Sequence, residues 1–135
     1  MPLEQVHSYA EDVEYLGELD DVRPTLRQAE CLVLPSYREG MPRTVLEAAS
    51  MGRVSLVSDV EGCRHAVEHG VTGFLFEARS SASLTRSILD IADHDAEQVS
   101  IMSHAAGRLA EERFAERHCI EPYLTLFEEL SSRRR

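Results

Sequence analysis

Apolar positions along this chain fall into short clusters separated by stretches with helical spacing. Val13-Glu14-Tyr15-Leu16-Gly17 is a β-rich run stopped by glycine. Residues 20 to about 29 then read as a helix, with Asp20 and Asp21 at its positive end and Val22 and Leu26 on its apolar side. Cys31-Leu32-Val33-Leu34 is apolar without alternation, the pattern of a strand covered on both faces. A loop over residues 37–41 leads to a helix from Pro42 to about Met51, proline suiting the first turn because its missing N–H would be unpaired there. Gly52 ends that helix, and Val54-Ser55-Leu56-Val57 makes the next strand. Gly62 precedes a short helix reaching Gly70, and Gly73-Phe74-Leu75-Phe76 is a fourth strand. Ser80 or Ser81 caps a helix to about Asp93, and further helices cover roughly 95–115 and 121–131.

Four short strands alternating with helices predict an α/β fold. The expected architecture is a Rossmann-like partial parallel sheet, flanked by helices through right-handed crossovers and followed by a helical C-terminal tail. Residues 13–95 carry the sheet portion and 96–135 the tail, with no linker or low-complexity tract between them.

Composition narrows the chemistry. At 135 residues and 43% hydrophobic, the chain is one domain's worth and can bury a core. Its 14 basic against 24 acidic residues, net −10, argue against a nucleic-acid surface. All the basic residues are Arg, which excludes a Schiff-base lysine, a Walker-type phosphate lysine and a kinase-type lysine. No apolar run approaches the roughly 20 residues that span a bilayer, and residues 1–10 lack the features of a signal peptide. Cys31, Cys63 and Cys119 have no paired spacing, which suggests a reducing, cytoplasmic setting. The expectation is a soluble, acidic, intracellular domain.

In an open parallel sheet, ligands bind beyond the carboxyl ends of the strands. The loops to inspect follow Leu16, Leu34 and Val57, and the one after Leu34 is the richest. Glu39 stands just before a helix start and Glu47 lies in the second turn of that helix. The N–H groups of residues 40 to 43, except at Pro42, would face the same crevice, which favours anions or hydroxyl-rich ligands. A carboxylate accepts two hydroxyl hydrogen bonds at once, so two of them around one helix start suit a polyol carrying phosphate, such as a nucleotide sugar. The bland alternative is a pair of solvent-facing acids, stabilised at a helix start in any case. Arg38 and Arg43 flank the phosphate zone and either bind it or pair with Glu39 and Glu47.

Other motifs weigh less. His65-Ala66-Val67-Glu68-His69 matches the inverted zinc pattern H-x-x-E-H, and helical spacing would put both histidines on one face. With no third ligand marked, a hydrated helix face is the expectation and no metal is assigned. Ser36 reads as a turn residue, lacking a GxSxG elbow, and adjacent His118 and Cys119 diverge by about 100° on a helix. Tyr123, Leu124, Leu126, Phe127 and Leu130 form an apolar stripe that most simply packs on the domain, or else marks a partner surface. Arg133-Arg134-Arg135 reads as a solvated end, with peripheral contact to anionic lipid as the alternative.

The stretch LVLPSYREGMPRTVLEAASMGRVSLVSDVEGCRHAVEHGVTGFLF resembles the donor-binding, C-terminal half of retaining glycosyltransferases with two Rossmann domains (the GT-B architecture), specifically family 4. The resemblance covers about residues 13–95. It rests on the glutamate pair inside PSxxEGxPxxxLEAxxxG, followed in order by SDxxGxR and GxTGFL.

The resemblance implies roles for individual residues. Glu39 matches the catalytic-site glutamate that holds hydroxyls of the transferred sugar. Gly40 and Met41 match backbone amides facing the sugar and distal phosphate, and Glu47 matches the glutamate that grips the ribose diol. Val45 and Leu46 match positions lining the nucleoside pocket, and Gly17 lies near the base-binding loop. The implied reaction moves a sugar from a nucleoside diphosphate donor to a glycan or lipid-linked acceptor, with retention and without a metal ion.

Family members also have an N-terminal acceptor domain, and an Arg and a Lys that hold the diphosphate from an earlier segment of the donor domain. Neither lies in this stretch, so the chain is expected to be a partial domain, incompetent alone. Arg53-Val54 stands where proline is common, and His65 where glutamate is. The other class in view is a noncatalytic interaction module that kept the sheet and lost its ligand.

Overall fold

Three short strands form the centre of the computed structural model, which describes residues 12–132. Strands β1 (Cys31–Leu34), β2 (Val54–Ser58) and β3 (Gly73–Phe76) run parallel in the order β1-β2-β3. Cys31 is in register with Val54, and Ser55 with Gly73. A Cβ at Gly73 would lie 2.1 Å from the Ser55 carbonyl oxygen, so β2 and β3 approach at a distance only glycine permits.

Helices connect and cover the strands: α1 (Arg23–Gln28), α2 (Arg43–Ser50), α3 (Glu61–Ala66), α4 (Ser81–Ala92), α5 (Ala96–Phe114) and α6 (Glu116–Ser132). Alternation along β2 splits the core. Val57 packs with Val45, Cys63, Ala66 and Val67 on the face that α2 and α3 cover. Val54 and Leu56 pack with Phe74, Phe76 and Met102 on the face toward α4 and α5. Small residues let α2 and α5 close up, through Ala49, Ala106 and Ala110. Gly52, at φ +65, turns the chain out of α2. Ser80 caps α4 by accepting from the Ser83 N–H, and Asp95 with Gln98 forms a capping box on α5.

The partial parallel α/β sheet and helical tail expected from the pattern are present, with corrections. Val13–Gly17 is not a strand. Val13, Tyr15 and Leu16 are each about half exposed, and the run is coil among the described residues, so composition alone does not make it a strand. β1 is an edge strand, and Val33 is 37% exposed rather than covered on both faces. α1 begins at Arg23 with Val22 at its cap position, while Asp21 accepts from the Arg23 backbone and guanidinium. Pro42 occupies the cap position of α2, so the helix begins at Arg43, one residue later than expected.

Gly62 lies inside α3 rather than before it, and α3 stops at Ala66, not Gly70. Val67 is already extended there, and Thr72 Oγ1 accepts from the Glu68 N–H. The last helix is longer than expected, starting at Glu116 and running through Pro122. Its stripe does not pack on the domain: no residue of α6 is buried, and Tyr123 and Phe127 are about two-thirds exposed. Among the described residues, no helix is long and apolar enough to cross a membrane. Arg133–Arg135 and the first eleven residues lie outside the described residues.

Candidate functional site

The carboxyl ends of β1 and β2 bring together the two segments that shape the site. Pro35 and Ser36 end β1, and the loop then carries Glu39 to the start of α2. No side chain caps α2. Its first returning bonds run from the Val45 and Leu46 N–H groups to the Pro42 carbonyl. Among the described residues the N–H groups of Gly40, Met41, Arg43 and Thr44 therefore have no acceptor. Four free donors at one helix start form a positive, hydrogen-bond-donating lip.

Acids border that lip. Glu39 and Glu47 are both half-buried, and neither is in an ion pair among the described residues. Glu39 stands near Cys63: burial pushes the Cys63 thiol pKa up, and the Glu39 charge pushes it the same way. Arg38 and Arg43 are exposed and pair with neither glutamate, so that alternative is not what the structure adopts. Gly40 and Met41 are exposed on the lip.

The nucleoside-side positions divide. Val45 is fully buried in the core with Val57 and Cys63, beneath the site rather than on its wall. Leu46 and Glu47 line a groove of about 290 Å³ between α2 and α5, together with Ser50, Glu111 and Phe114. Gly17 sits in an exposed coil at φ +72, with open space around it, and no contact brings it to the lip.

Support for Glu39 comes from residues that the spacing of glutamates did not single out. A Cβ at Gly62 would lie 2.1 Å from the Gly40 carbonyl oxygen and 2.5 Å from that of Glu39. The first turn of α3 thus presses directly on the Glu39-Gly40 peptide. Asp59 and Arg64 hold that turn from both sides, Arg64 Nε donating to Asp59 Oδ1 at 2.5 Å. The hydrogen bond from Arg64 holds the Asp59 carboxyl below the ordinary carboxylate range. The signal was present in the run SDxxGxR, whose Asp, Gly and Arg are the three residues of this clamp.

The H-x-x-E-H match does not survive folding. His65 lies in α3 while Glu68 and His69 lie beyond its end, so the histidines do not share a helix face. His69 is engaged instead: its Nδ1 accepts from the Leu75 N–H at 3.0 Å, and its ring packs edge-on to Phe74. Glu68 pairs with Arg113 at 2.7 Å. Among the described residues no group of three or more His, Cys, Asp or Glu side chains is placed to hold a metal. His118 and Cys119 follow one another on α6, and the His118 ring points back to the Glu111 carbonyl at 3.3 Å.

Residues 1–94 match the family described as "Glycosyl transferases group 1". Over 94 residues the chain is 33% identical to the N,N'-diacetylbacillosaminyl-diphospho-undecaprenol alpha-1,3-N-acetylgalactosaminyltransferase of Campylobacter jejuni, an alignment covering 70% of this chain and 25% of that protein. The chain thus spans about a quarter of that relative's length. Among solved structures, sucrose-phosphate synthase from Thermosynechococcus elongatus superposes with a TM-score of 0.85 at 21% identity, covering 96% of this chain and 33% of that one. HepE from Anabaena, in complex with UDP-glucose, superposes with a TM-score of 0.79 at 23% identity, covering 96% and 36%. At these identities the superpositions establish the fold.

Proposed function

Since the chain belongs to the group 1 glycosyl transferases and carries part of their two-Rossmann (GT-B) fold, we propose that residues 1–135 form part of the C-terminal, nucleotide-sugar-binding domain of a retaining glycosyltransferase, with residues 13–95 as its sheet portion. The donor is a nucleoside diphosphate sugar and the acceptor a glycan or lipid-linked sugar, met by an N-terminal domain outside the matched stretch. The observation that carries this reading is the uncapped start of α2, with free N–H groups at Gly40 and Met41 between half-buried Glu39 and Glu47.

Each group then has a task its chemistry suits. The Glu39 carboxylate accepts hydrogen bonds from two hydroxyls of the transferred sugar and fixes the anomeric carbon's position. The Gly40 and Met41 N–H groups donate to the distal phosphate, whose charge grows as the glycosidic bond breaks. Glu47 accepts from both ribose hydroxyls, and Leu46 lines the nucleoside side. Arg38 and Arg43, in no ion pair among the described residues, add positive potential beside the diphosphate. The proposed reaction calls for no metal ion or organic cofactor. Three unpaired cysteines suit a cytoplasmic setting, peripheral to the membrane where the acceptor is lipid-linked.

UDP-glucose, the ligand in the Anabaena structure, is the first donor to titrate by calorimetry. Glu47→Ala should weaken binding about tenfold or more, the scale of a lost charge-assisted pair. Equal binding of UDP-, GDP- and ADP-sugars with and without the Glu47 carboxylate would contradict ribose recognition. The exposed apolar stripe of α6, half to two-thirds open along its length, favours a second reading, a noncatalytic interaction module. A stable protein complex through residues 121–130 without any nucleotide-sugar binding would select it.

A further inference from the structure

The opposite face of the same sheet end carries a cleft that the donor reading does not use. It encloses about 310 Å³ and is lined by Tyr37, Ser58, Phe76, Arg79, Ser81 and Leu84. Phe76 and Leu84 belong to the core on the α4 side of the sheet, whereas Glu39 stands near Cys63 on the α3 side. Alternation along β2 sends Val57 to the α3 side and Ser58 to this one.

Separate observations converge on the cleft. Ser58 is only 1% exposed, yet its hydroxyl lines the cleft and has no hydrogen-bond partner among the described residues. A hydroxyl on so little exposed a residue is costly to leave without a partner, and this residue borders the empty volume. α4 opens onto the same space. Ser80 Oγ satisfies the Ser83 N–H, but the Ser81 and Ala82 N–H groups have no acceptor among the described residues. Arg79 precedes them at φ +65, a left-handed conformation that side chains rarely adopt. Its guanidinium lies 5.2 Å from the centre of the Tyr37 ring and makes no ion pair among the described residues. The cleft is thus lined by a cation, a serine hydroxyl and the Ser81 end of α4, with the Ala82 N–H next along the same helix start and no carboxylate among the lining residues.

We propose that this cleft binds a phosphoryl oxyanion, held by the Arg79 guanidinium, the Ser58 hydroxyl and the Ser81 and Ala82 N–H groups. The site is distinct from the donor lip: no atom of Glu39, Gly40, Met41 or Glu47 takes part. A phosphate monoester fits the donor set, because its oxygens can accept from all four groups at once while Arg79 balances its charge. Tyr37, 68% exposed, holds Arg79 over the entrance and keeps its remaining surface open to the rest of the ligand.

The test is a titration of the ¹⁵N-labelled chain with inorganic phosphate at constant ionic strength, followed by amide chemical shifts. A parallel titration uses phosphatidylcholine vesicles containing phosphatidic acid. Saturable shifts at Arg79, Ser81 and Ala82 are expected with free phosphate. Arg79→Gly should weaken them about tenfold, and Ser58→Ala severalfold. Glycine accepts the left-handed conformation, so Arg79→Gly retains the fold and should melt above Arg79→Ala, which separates lost binding from lost structure. Vesicle binding in addition to phosphate binding would make a lipid headgroup one source of the phosphoryl group. Vesicle binding without free-phosphate shifts, shifts unchanged in Arg79→Gly, or no saturable shift at all would each overturn the proposal. UDP-glucose shifts confined to residues 39–47 report the donor site separately, so the two sites stand or fall independently.

Discussion

Gly62→Ala tests whether the loop bearing Glu39 is held by the first turn of α3. The added carbon would sit 2.1 Å from the Gly40 carbonyl oxygen, 2.5 Å from that of Glu39 and 2.6 Å from the Gly40 carbonyl carbon. Carbon contacts settle near 3.5–4.0 Å, so α3 or the 39–40 peptide must retreat by about 1 Å. All three neighbours are backbone, so no rotamer change relieves the clash. Overpacking of this kind costs about 1–3 kcal/mol, and alanine recovers about 0.5–1 kcal/mol over glycine inside a helix. At the middle of these ranges the net loss is about 1 kcal/mol, a fall of roughly 4 °C in melting temperature for a domain this size. UDP-glucose affinity, measured by calorimetry below the transition, should fall with it because Glu39 moves. Gly40→Ala is the control: a Cβ there meets nothing within 4 Å, so it should stay within about 0.5 kcal/mol of wild type. An unchanged melting temperature in Gly62→Ala would refute the clamp. A lowered one with unchanged donor affinity would refute its link to Glu39.

Two further outcomes follow from the same geometry. Ser55 Oγ is buried on β2 without a hydrogen-bond partner, so Ser55→Ala should gain about 1 kcal/mol in urea unfolding. A loss would mean the hydroxyl is satisfied. Asp59 is held below the ordinary carboxylate range by the hydrogen bond from Arg64, so the stabilisation it contributes is present above the unfolded-state pKa near 3.9 and is lost as pH falls through the lower folded value. Both side chains are roughly half exposed, which limits the effect to under about 1 kcal/mol. Unfolding free energies measured from neutrality down to about pH 3 should therefore converge between wild type and Asp59→Asn at the acid end. A constant difference at every pH would refute the assignment.

What was legible in the chain followed from local chemistry. β2 and β3 are apolar runs punctuated by glycine, and Ser80 and Asp95 carry their own capping signals, so those elements were found where they stand. Val13–Gly17 has the same local composition, but a strand needs a paired neighbour, and pairing is nonlocal. The end of α3 was misread for the same reason. A parallel bridge between His69 and Gly73 draws residues 67–69 into extended backbone, and this bridge, not helix propensity, separates the two histidines of the apparent zinc motif. The stripe on α6 has helical spacing whether or not anything covers it, so its exposure could not be read from periodicity.

The site divides along the same line. Glu39 and Glu47 stand out in the sequence because their spacing fixes them relative to one helix start, a local relation. Their support was not found, because Gly62 reaches the Glu39-Gly40 peptide only after β2 pairs with β1 and returns α3 across the strand ends. The same pairing decides which surface each residue of β2 serves. Val57 enters the core beneath the glutamates, and Ser58, one residue later, opens the cleft beside Arg79. A register slip of a single residue would turn Ser58 toward the face beneath the glutamates and Val57 toward the face of α4 and α5. At Gly73 the β3 backbone lies so close to the Ser55 carbonyl that a side chain would clash, which suits glycine to the observed ladder. The register of β2 therefore links the two proposed ligand surfaces, although neither shares a residue with the other.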